Sequence, residues 1–173
     1  WGLDAGLARQ RHFPAINWLS SYSLYPQALD QWYRDNIASD FPEVRTEIST
    51  LLQVESELQE IVQLVGSDAL PIDQQLTLEV ARMIREFFLQ QNAFHDVDTY
   101  SDLKLQYDMA RAILSFQEEA KKAIAGGAQL EDVVNVPART DLMRGRFEKG
   151  YNDKIEELVS EMGKQISSSM EAN

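Results

Sequence analysis

Residues 40–66 read DFPEVRTEISTLLQVESELQEIVQLVG and carry the best-marked helical pattern of the chain. Asp40 followed three residues later by Glu43 is typical of a capping box, and Pro42 suits the first turn of a helix. Gly66 is placed to end the helix in the left-handed conformation. We therefore expect one long amphipathic helix. Its apolar positions recur with the period of one helical face: Val44, Ile48, Leu51, Leu58, Ile61, Val62 and Val65.

Helical patterns also surround this segment. A third helix should follow Pro71, with Ile72, Leu76, Val80, Met83, Ile84 and Phe87 facing inward. A fourth should begin at Ser101 as N-cap and end at Gly126-Gly127. Shorter helices are expected from Pro26 through Tyr33, over 130–134, over about 138–147 and over 151–167, with a frayed tail at Ser167–Ser169.

The remaining residues contain neither an internal repeat nor a series of strands. Residues 1–25 carry Gly2, Gly6 and Pro14 together with clustered Ser and Tyr, which favours loops with at most one short strand. The predicted fold class is therefore all-α. It is a C-terminal helical bundle preceded by a short, mostly irregular segment.

Composition limits the partners of the chain. Its 173 residues include 28 acidic and 16 basic ones, for a formal net charge of −12. This balance argues against a nucleic-acid partner, which requires a basic surface. No run approaches the ~20 apolar residues that span a bilayer, and no signal peptide is recognisable, so we expect no direct membrane insertion. Without cysteine, a disulfide framework or a thiolate metal site is impossible.

Two loops present aromatic residues that no regular element explains. The first is HFPAINWL at 12–19 and the second is LQQNAF at 89–94. Phe13 precedes Pro14, which favours an extended backbone there. Rings from two loops could clamp a flat ligand such as a purine. On the residues alone, the usual burial of phenylalanine favours Phe13 and Phe94 as ordinary core or interface rings.

The phosphate-binding loop GxxxxGK[ST] is absent from the sequence, because Gly126-Gly127 and Gly145 have the wrong neighbours. That loop supplies the backbone amides and the lysine that hold the phosphates of ATP. We therefore predict no phosphate-binding loop of this type within the chain. The segment His95-Asp96-Val97-Asp98 could suggest a metal site, but without a third clustered ligand a capped loop is favoured and no metal site is assigned.

Four sequence segments, occurring in the same order, resemble the catalytic A (alpha) subunit of V/A-type rotary ATPases and ATP synthases. They are GLARQRHFPAINWLSSYSLY at 6–25, ELQEIVQLVGSDALP at 57–71, LTLEVARMIREFFLQQNAF at 76–94 and DVDTY at 96–100. The resemblance extends to about residue 125 and is loose after about residue 128. It implies the C-terminal part of a longer subunit. Residues 1–25 would then be the truncated end of the nucleotide-binding domain, and 26–173 the C-terminal bundle.

The resemblance also implies an adenine pocket. Phe13 and Pro14 would form one wall, and Gln91, Ala93 and Phe94 the other. The ligand would be ATP or ADP with Mg2+, the ion and the phosphates being held by the upstream domain. Catalytic groups are expected there or on a neighbouring subunit. The resemblance therefore implies no catalytic residue within this chain and no ATP hydrolysis by the chain alone.

The turn after the long helix resembles the place where the related F-type catalytic subunit carries its acidic rotor-contacting loop, DELSEED. Asp68, Leu70 and Asp73 echo that loop, whereas Pro71 departs from it. The implied role is contact with the central rotor. The other interpretation is an exposed turn of the bundle with solvated acids.

In this family the catalytic subunits alternate with noncatalytic B subunits in a hexameric ring around a central stalk. The whole enzyme couples ATP synthesis or hydrolysis to H+ or Na+ transport, and it is peripheral to the membrane on the cytoplasmic side. Two alternatives stay open at this point. One is the C-terminal domain of the noncatalytic B subunit, and the other is a free-standing helical interaction module.

Overall fold

The computed structural model describes residues 1–148 and 150–171, and within these the architecture is helical. A two-residue antiparallel pair, β1 (Gly2–Leu3) and β2 (Ile16–Asn17), joins Gly2 to Asn17 and Leu3 to Ile16. The helices are α1 (Ala5–Arg9), α2 (Pro26–Asn36), α3 (Phe41–Val65), α4 (Ile72–Met83), α5 (Leu103–Ala125), α6 (Leu130–Val134), α7 (Pro137–Gly145) and α8 (Asn152–Glu171). The predicted all-α bundle is confirmed.

The start of α3 differs from the predicted capping box. Pro42 lies in the first turn as expected, but the Asp40 side chain makes no cap hydrogen bond. Asp40 instead accepts a hydrogen bond of 2.6 Å from the Tyr107 hydroxyl, and Glu43 pairs with Arg34. The capping box is wrong because both of its side chains have partners on other helices.

The far end of α3 extends beyond the bundle. Val44, Ile48, Leu51 and Leu58 are buried as predicted. Ile61 and Val65, assigned to the same face, are 44% and 59% exposed, because the last turns of the helix reach past the core. Gly66 ends the helix at φ +85 and ψ 158, a positive-φ conformation with ψ outside the left-handed helical region. A 3-10 turn (Ser67–Ala69) then leads to α4.

Helix α5 contacts α3, α4, α6 and α8 and forms the centre of the core. Alanines at 112, 120 and 123 are buried on α5, and such small side chains let a neighbouring helix approach closely. Each large apolar side chain in this core contributes roughly 1.5–3 kcal/mol by leaving water. The large core residues include Leu76, Val80, Met83, Ile84, Ile113, Leu114, Phe116, Leu142, Met162 and Ile166.

Two helix boundaries differ from the sequence-based expectation. The N-cap of α5 is Asp102, whose Oδ1 accepts from the backbone N–H of Leu105 at 2.7 Å, so the assignment of Ser101 is wrong. Ser167–Ser169 belong to α8 and are not frayed, because the helix continues through Glu171. Of the inward face predicted for α4, Ile72 is 42% exposed, since it lies in the first turn beside the protruding end of α3.

The N-terminal segment is more regular than expected, because Asp4 organises it. The Asp4 carboxylate caps α1 by accepting from the backbone N–H groups of Gly6 and Leu7, and it also accepts from Asn17 Nδ2 at 2.9 Å. The hydrogen bonds from these donors lower the pKa of Asp4, and the bond from Asn17 has the largest effect. The His12 ring, tilted against Trp18, brings its Nε2 to 3.0 Å from the carbonyl oxygen of Arg85. The segment is thereby attached just beyond α4. Its division from the bundle at residue 25 stays a prediction.

Among the described residues, no helix combines the length and the apolar character needed to cross a bilayer.

Candidate functional site

The helical path after α4 widens before it reaches the second aromatic loop. Residues Ile84–Leu89 form a π-helix, and the N–H of Gln90 donates to the carbonyl oxygen of Arg85 at 2.9 Å. π-Helical turns are rare and are frequently found at functional sites. The extra residue in each turn sets where the following loop leaves the helix.

The loop after the π-helix is held in shape by its own side chains. Asn92 Oδ1 accepts from the N–H of Phe94 at 3.0 Å, and Asp98 Oδ2 accepts from the N–H of Asn92 at 2.6 Å. His95 Nδ1 accepts from the N–H groups of Val97 and Asp98 at 3.3 and 3.4 Å. The predicted capped loop is confirmed.

A backbone hydrogen bond joins the two aromatic loops. The N–H of Gln91 donates to the carbonyl oxygen of Phe13 at 2.7 Å. The Gln90 amide also reaches the carbonyl oxygen of Arg11 at 3.4 Å. The Phe13–Pro14 peptide bond is cis. Although the loops are far apart in the sequence, they form one continuous surface.

A cleft of about 680 Å³ lies on this surface, and all five residues predicted for the adenine pocket line it. Phe13 is 50% exposed and Phe94 is 98% exposed, so both rings are open to a ligand. Exposed rings in a cleft are more informative than buried ones, because burial already explains most phenylalanines. The described bundle therefore does not use Phe13 and Phe94 as core rings. The five predicted residues that line the cleft are Phe13, Pro14, Gln91, Ala93 and Phe94.

The Gln91 side chain lies within the loop as well as along the cleft. Its Nε2 donates to the carbonyl oxygen of Asp98 at 2.9 Å. This bond closes the loop across its base, next to the bond between Asp98 and the N–H of Asn92. Gln91 therefore supports the conformation of the loop in addition to lining the cleft.

Sequence reasoning missed several residues that line the cleft. Arg11 lies directly before the first aromatic loop, so its position in the chain could have suggested it. Arg146 and Phe147 come from the end of α7, and no local pattern connects them with the loops. None of the described residues that line the cleft is acidic. The missed residues are Arg11, Gln90, Thr99, Arg146 and Phe147, and Asn92 of the second aromatic loop also lines the cleft.

A buried ion pair connects α3 to the π-helix. The Glu55 side chain on α3 is 6% exposed, and its Oε1 lies 3.0 Å from Arg85 Nη2, at an angle unsuited to a hydrogen bond. Burial raises the pKa of Glu55, and the positive charge of Arg85 opposes this rise. The carbonyl oxygen of Arg85 lies 3.0 Å from His12 Nε2, and it accepts a hydrogen bond from the N–H of Gln90. The π-helix is therefore contacted at Arg85 both by Glu55 from α3 and by His12 from the N-terminal segment.

The α3–α4 turn lies at the protruding end of the bundle. Asp68 and Asp73 are exposed, whereas Leu70 is only 7% exposed and lies beneath the turn. The Gln75 amide donates to the carbonyl oxygen of Leu70 at 2.8 Å and fixes the turn further. The exposed surface of this hairpin tip combines the two acids with apolar side chains at Leu64, Val65 and Ile72.

The sequence model of one family, described as the C-terminal domain of V and A type ATP synthase, matches residues 30–134. The chain belongs to this family. The matched region includes the hairpin tip and the second aromatic loop but ends before α7.

Relatives of known identity agree with the family. The A-type ATP synthase A subunit of Natronomonas pharaonis is 54% identical over 96% of the chain and 28% of its own length. V-type ATP synthase alpha chain 1 of Clostridium tetani is 50% identical over 96% of the chain and 28% of its own length. The corresponding A-type protein of Methanosarcina barkeri is 47% identical over 97% of the chain and 29% of its own length. The chain thus spans less than a third of these relatives. They are A or alpha subunits, so the alternative of a noncatalytic B subunit is not favoured.

Proposed function

We propose that this chain forms the adenine wall of the nucleotide site in the catalytic subunit of a V/A-type ATP synthase or ATPase. The observation that carries the proposal is the single cleft lined by both aromatic loops. The relatives support it, since they are A and alpha subunits of ATP synthases.

The cleft offers the chemistry that a purine requires. Phe13 and Phe94 present exposed ring faces, and a base stacked on an aromatic side chain gains roughly 1–3 kcal/mol. The Gln91 side chain lines the same cleft, and its amide can meet the polar edge of adenine. The rigid loop lowers the entropic cost of ordering these groups when the base binds.

The triphosphate and Mg2+ are bound elsewhere in the longer protein. Among the residues that the structure describes, the cleft lining contains no acidic side chain for the ion, and the sequence contains no phosphate-binding loop. This chain therefore contributes affinity and orientation for the base and does not itself hydrolyse ATP. The reaction, coupled to H+ or Na+ transport, belongs to the complete assembly with noncatalytic B subunits and a central stalk, peripheral to the membrane on its cytoplasmic side.

The hairpin tip is the second functional element of the proposal. Asp68, Asp73 and the exposed apolar side chains beside them would contact the central stalk, with Leu70 supporting the turn from within. Long helices with a packed base transmit displacement as rigid levers. Opening and closing of the nucleotide cleft at one end of α4 would then be coupled to movement of the tip at the other end.

The test is Phe94→Ala in the full-length subunit within its assembled complex, with the affinity for MgATP measured by calorimetry. We expect affinity to fall about five- to hundredfold, the equivalent of one lost stacking contact. Thermal stability should be unchanged, because Phe94 is 98% exposed. Tyr100→Ala is the matched control, since Tyr100 is 86% exposed nearby in the chain but does not line the cleft. Equal affinity in both variants would reject the adenine assignment.

A further inference from the structure

The side chain of Arg146 is mostly buried at the edge of the adenine cleft, which it helps to line, although it comes from a distant part of the chain. It follows the last residue of α7 and is only 12% exposed. This position lies outside residues 30–134, the region matched by the family. A buried guanidinium is costly unless its donors are satisfied, so its partners indicate its role.

The first partners of Arg146 are backbone carbonyls at the end of the π-helix. Nη1 donates to the carbonyl oxygen of Glu86 at 2.6 Å and to that of Gln90 at 2.8 Å. The last carbonyls of a helix lack partners within it. Arg146 therefore fixes the direction in which the chain leaves the π-helix and enters the loop that carries Phe94.

Asp98 provides the second contact of Arg146 with the loop. Its carboxylate is 6% exposed and lies 3.9 Å from Arg146 Nε, a distance for an ion pair and not for a hydrogen bond. The same Oδ2 accepts from the N–H of Asn92 at 2.6 Å, and the Asp98 carbonyl accepts from Gln91. Arg146 thus contacts the loop at its start through Gln90 and at its end through Asp98.

Phe147 extends the same contact into the cleft. The Arg146 guanidinium lies over the Phe147 ring at 4.7 Å, and the His95 ring meets that ring edge-on at 4.9 Å. Phe147 lines the cleft together with Phe94. The chain after α7 therefore supports the loop and adds an aromatic side chain to the pocket.

The backbone before Arg146 is itself held in place. The Tyr151 hydroxyl donates to the carbonyl oxygen of Leu142 at 2.7 Å. The Tyr151 ring lies so close to Gly145 that a Cβ there would be 1.6 Å from it. The end of α7 is consequently fixed, and Arg146 enters the protein from a fixed position.

We propose that Arg146 is a positioning residue for nucleotide binding, which rests on the proposed adenine site. It holds Gln90 and Asp98 so that the loop presents Ala93 and Phe94 to the base. Its polar contacts are with the end of the π-helix and with the loop. Its loss should therefore weaken binding through the base and leave phosphate binding unaltered.

The experiment uses the full-length subunit within its assembled complex and measures affinities for MgATP and for magnesium tripolyphosphate, which has no base. Arg146→Met should weaken MgATP binding by about tenfold, or about 1.4 kcal/mol, part of the stacking contribution. The affinity for tripolyphosphate should not change. Arg146→Lys, which keeps a donor and the charge, should recover part of the loss.

Arg139→Met is the matched control. The Arg139 side chain is 13% exposed, donates to the carbonyl of Val134 and to Glu79, and lies over the Phe116 ring, but it does not line the cleft. Arg139 is therefore buried and hydrogen-bonded to a similar extent as Arg146, but it does not contact the loop. Equal effects of Arg146→Met and Arg139→Met on MgATP affinity would overturn the inference, as would a parallel loss of tripolyphosphate binding.

A second variant keeps the inference testable if Arg146→Met does not fold. Asp98→Asn preserves the shape of the side chain but removes its charge. It should lower the affinity for MgATP by less than Arg146→Met does and leave the affinity for tripolyphosphate unchanged. Unchanged MgATP affinity in both Asp98→Asn and Arg146→Lys would count against the inference. Failure of the adenine assignment itself gives a different pattern, because Phe94→Ala would then bind MgATP normally.

Discussion

The N–H of Gln91 lies 2.7 Å from the carbonyl oxygen of Phe13, and this bond joins the two aromatic loops into one cleft. It fixes the loops through their backbones and leaves both rings free at the surface. Phe13 is 50% and Phe94 is 98% exposed within the described chain. The geometry is that of a preformed site, in which the cost of bringing the two rings together is met by folding.

Phe13 and Phe94 should behave as a coupled pair in nucleotide binding. If both rings contact one base, then after removal of the first ring the base is less well held against the second. The double variant Phe13→Ala/Phe94→Ala should therefore lose less MgATP affinity than the two single losses combined, with a coupling of about 0.5–3 kcal/mol. Calorimetry on the four assembled proteins measures this coupling. The pair Phe94 and Tyr100 should show additive effects.

Two glycines should respond oppositely to alanine. A Cβ at Gly145 would meet the Tyr151 ring at 1.6 Å, so Gly145→Ala should lower the free energy of unfolding by about 1–3 kcal/mol. At Gly163 in α8 the nearest atom would be Glu119 Cγ at 4.0 Å, so alanine there should raise it by about 0.5–1 kcal/mol. Chemical denaturation of the 173-residue chain measures both. Destabilisation by both substitutions would contradict the assigned packing.

Glu55 should make stability depend on pH. Burial raises its pKa above the usual 4.5, so the folded state binds the proton more tightly than the unfolded chain does. The resulting stability is present below the unfolded value and is lost as pH rises through the folded pKa. Glu55→Gln should therefore flatten the decrease in the free energy of unfolding that begins as the pH rises above about 4.5. Loss of the Arg85 pair should add only an offset that does not depend on pH.

The control for that titration is Glu60→Gln, which changes an exposed acid on the same helix. Denaturant unfolding at several pH values should give Glu60→Gln the same slope as the unaltered chain. An identical slope for Glu55→Gln would show that the buried carboxyl does not titrate as inferred.

The hairpin tip should affect coupling and not nucleotide binding. Leu64 is 85% exposed and Asp68 is exposed, so Leu64→Asn/Asp68→Asn should leave the thermal stability of the subunit unchanged. In the assembled enzyme, ion transport per ATP hydrolysed should fall while MgATP affinity stays constant. Asp132→Asn, a change of the same charge at an exposed position on α6, serves as control. Unaltered coupling in the tip variant would remove the rotor-facing assignment.

Much of the bundle is determined by the sequence itself, because helical periodicity, proline at first turns and glycine at helix ends are local signals. They predict α3 from Asp40 to Gly66 and the buried faces around Leu76 and Ile113. They fail where a long-range partner competes, as at Asp40 with Tyr107. They also fail where a helix extends past the core, as at Val65.

The site divides in the same way. The types and order of residues in the two aromatic loops, together with the family resemblance, are enough to identify Phe13 and Phe94 as candidates. Only the tertiary structure decided that they share a cleft and that Arg146 lies at its edge, since the bonds of Gln91 to Phe13 and of Arg146 to Gln90 join residues distant in the sequence. Such contacts depend on how α4, α5 and α7 pack together, and no local pattern records that packing.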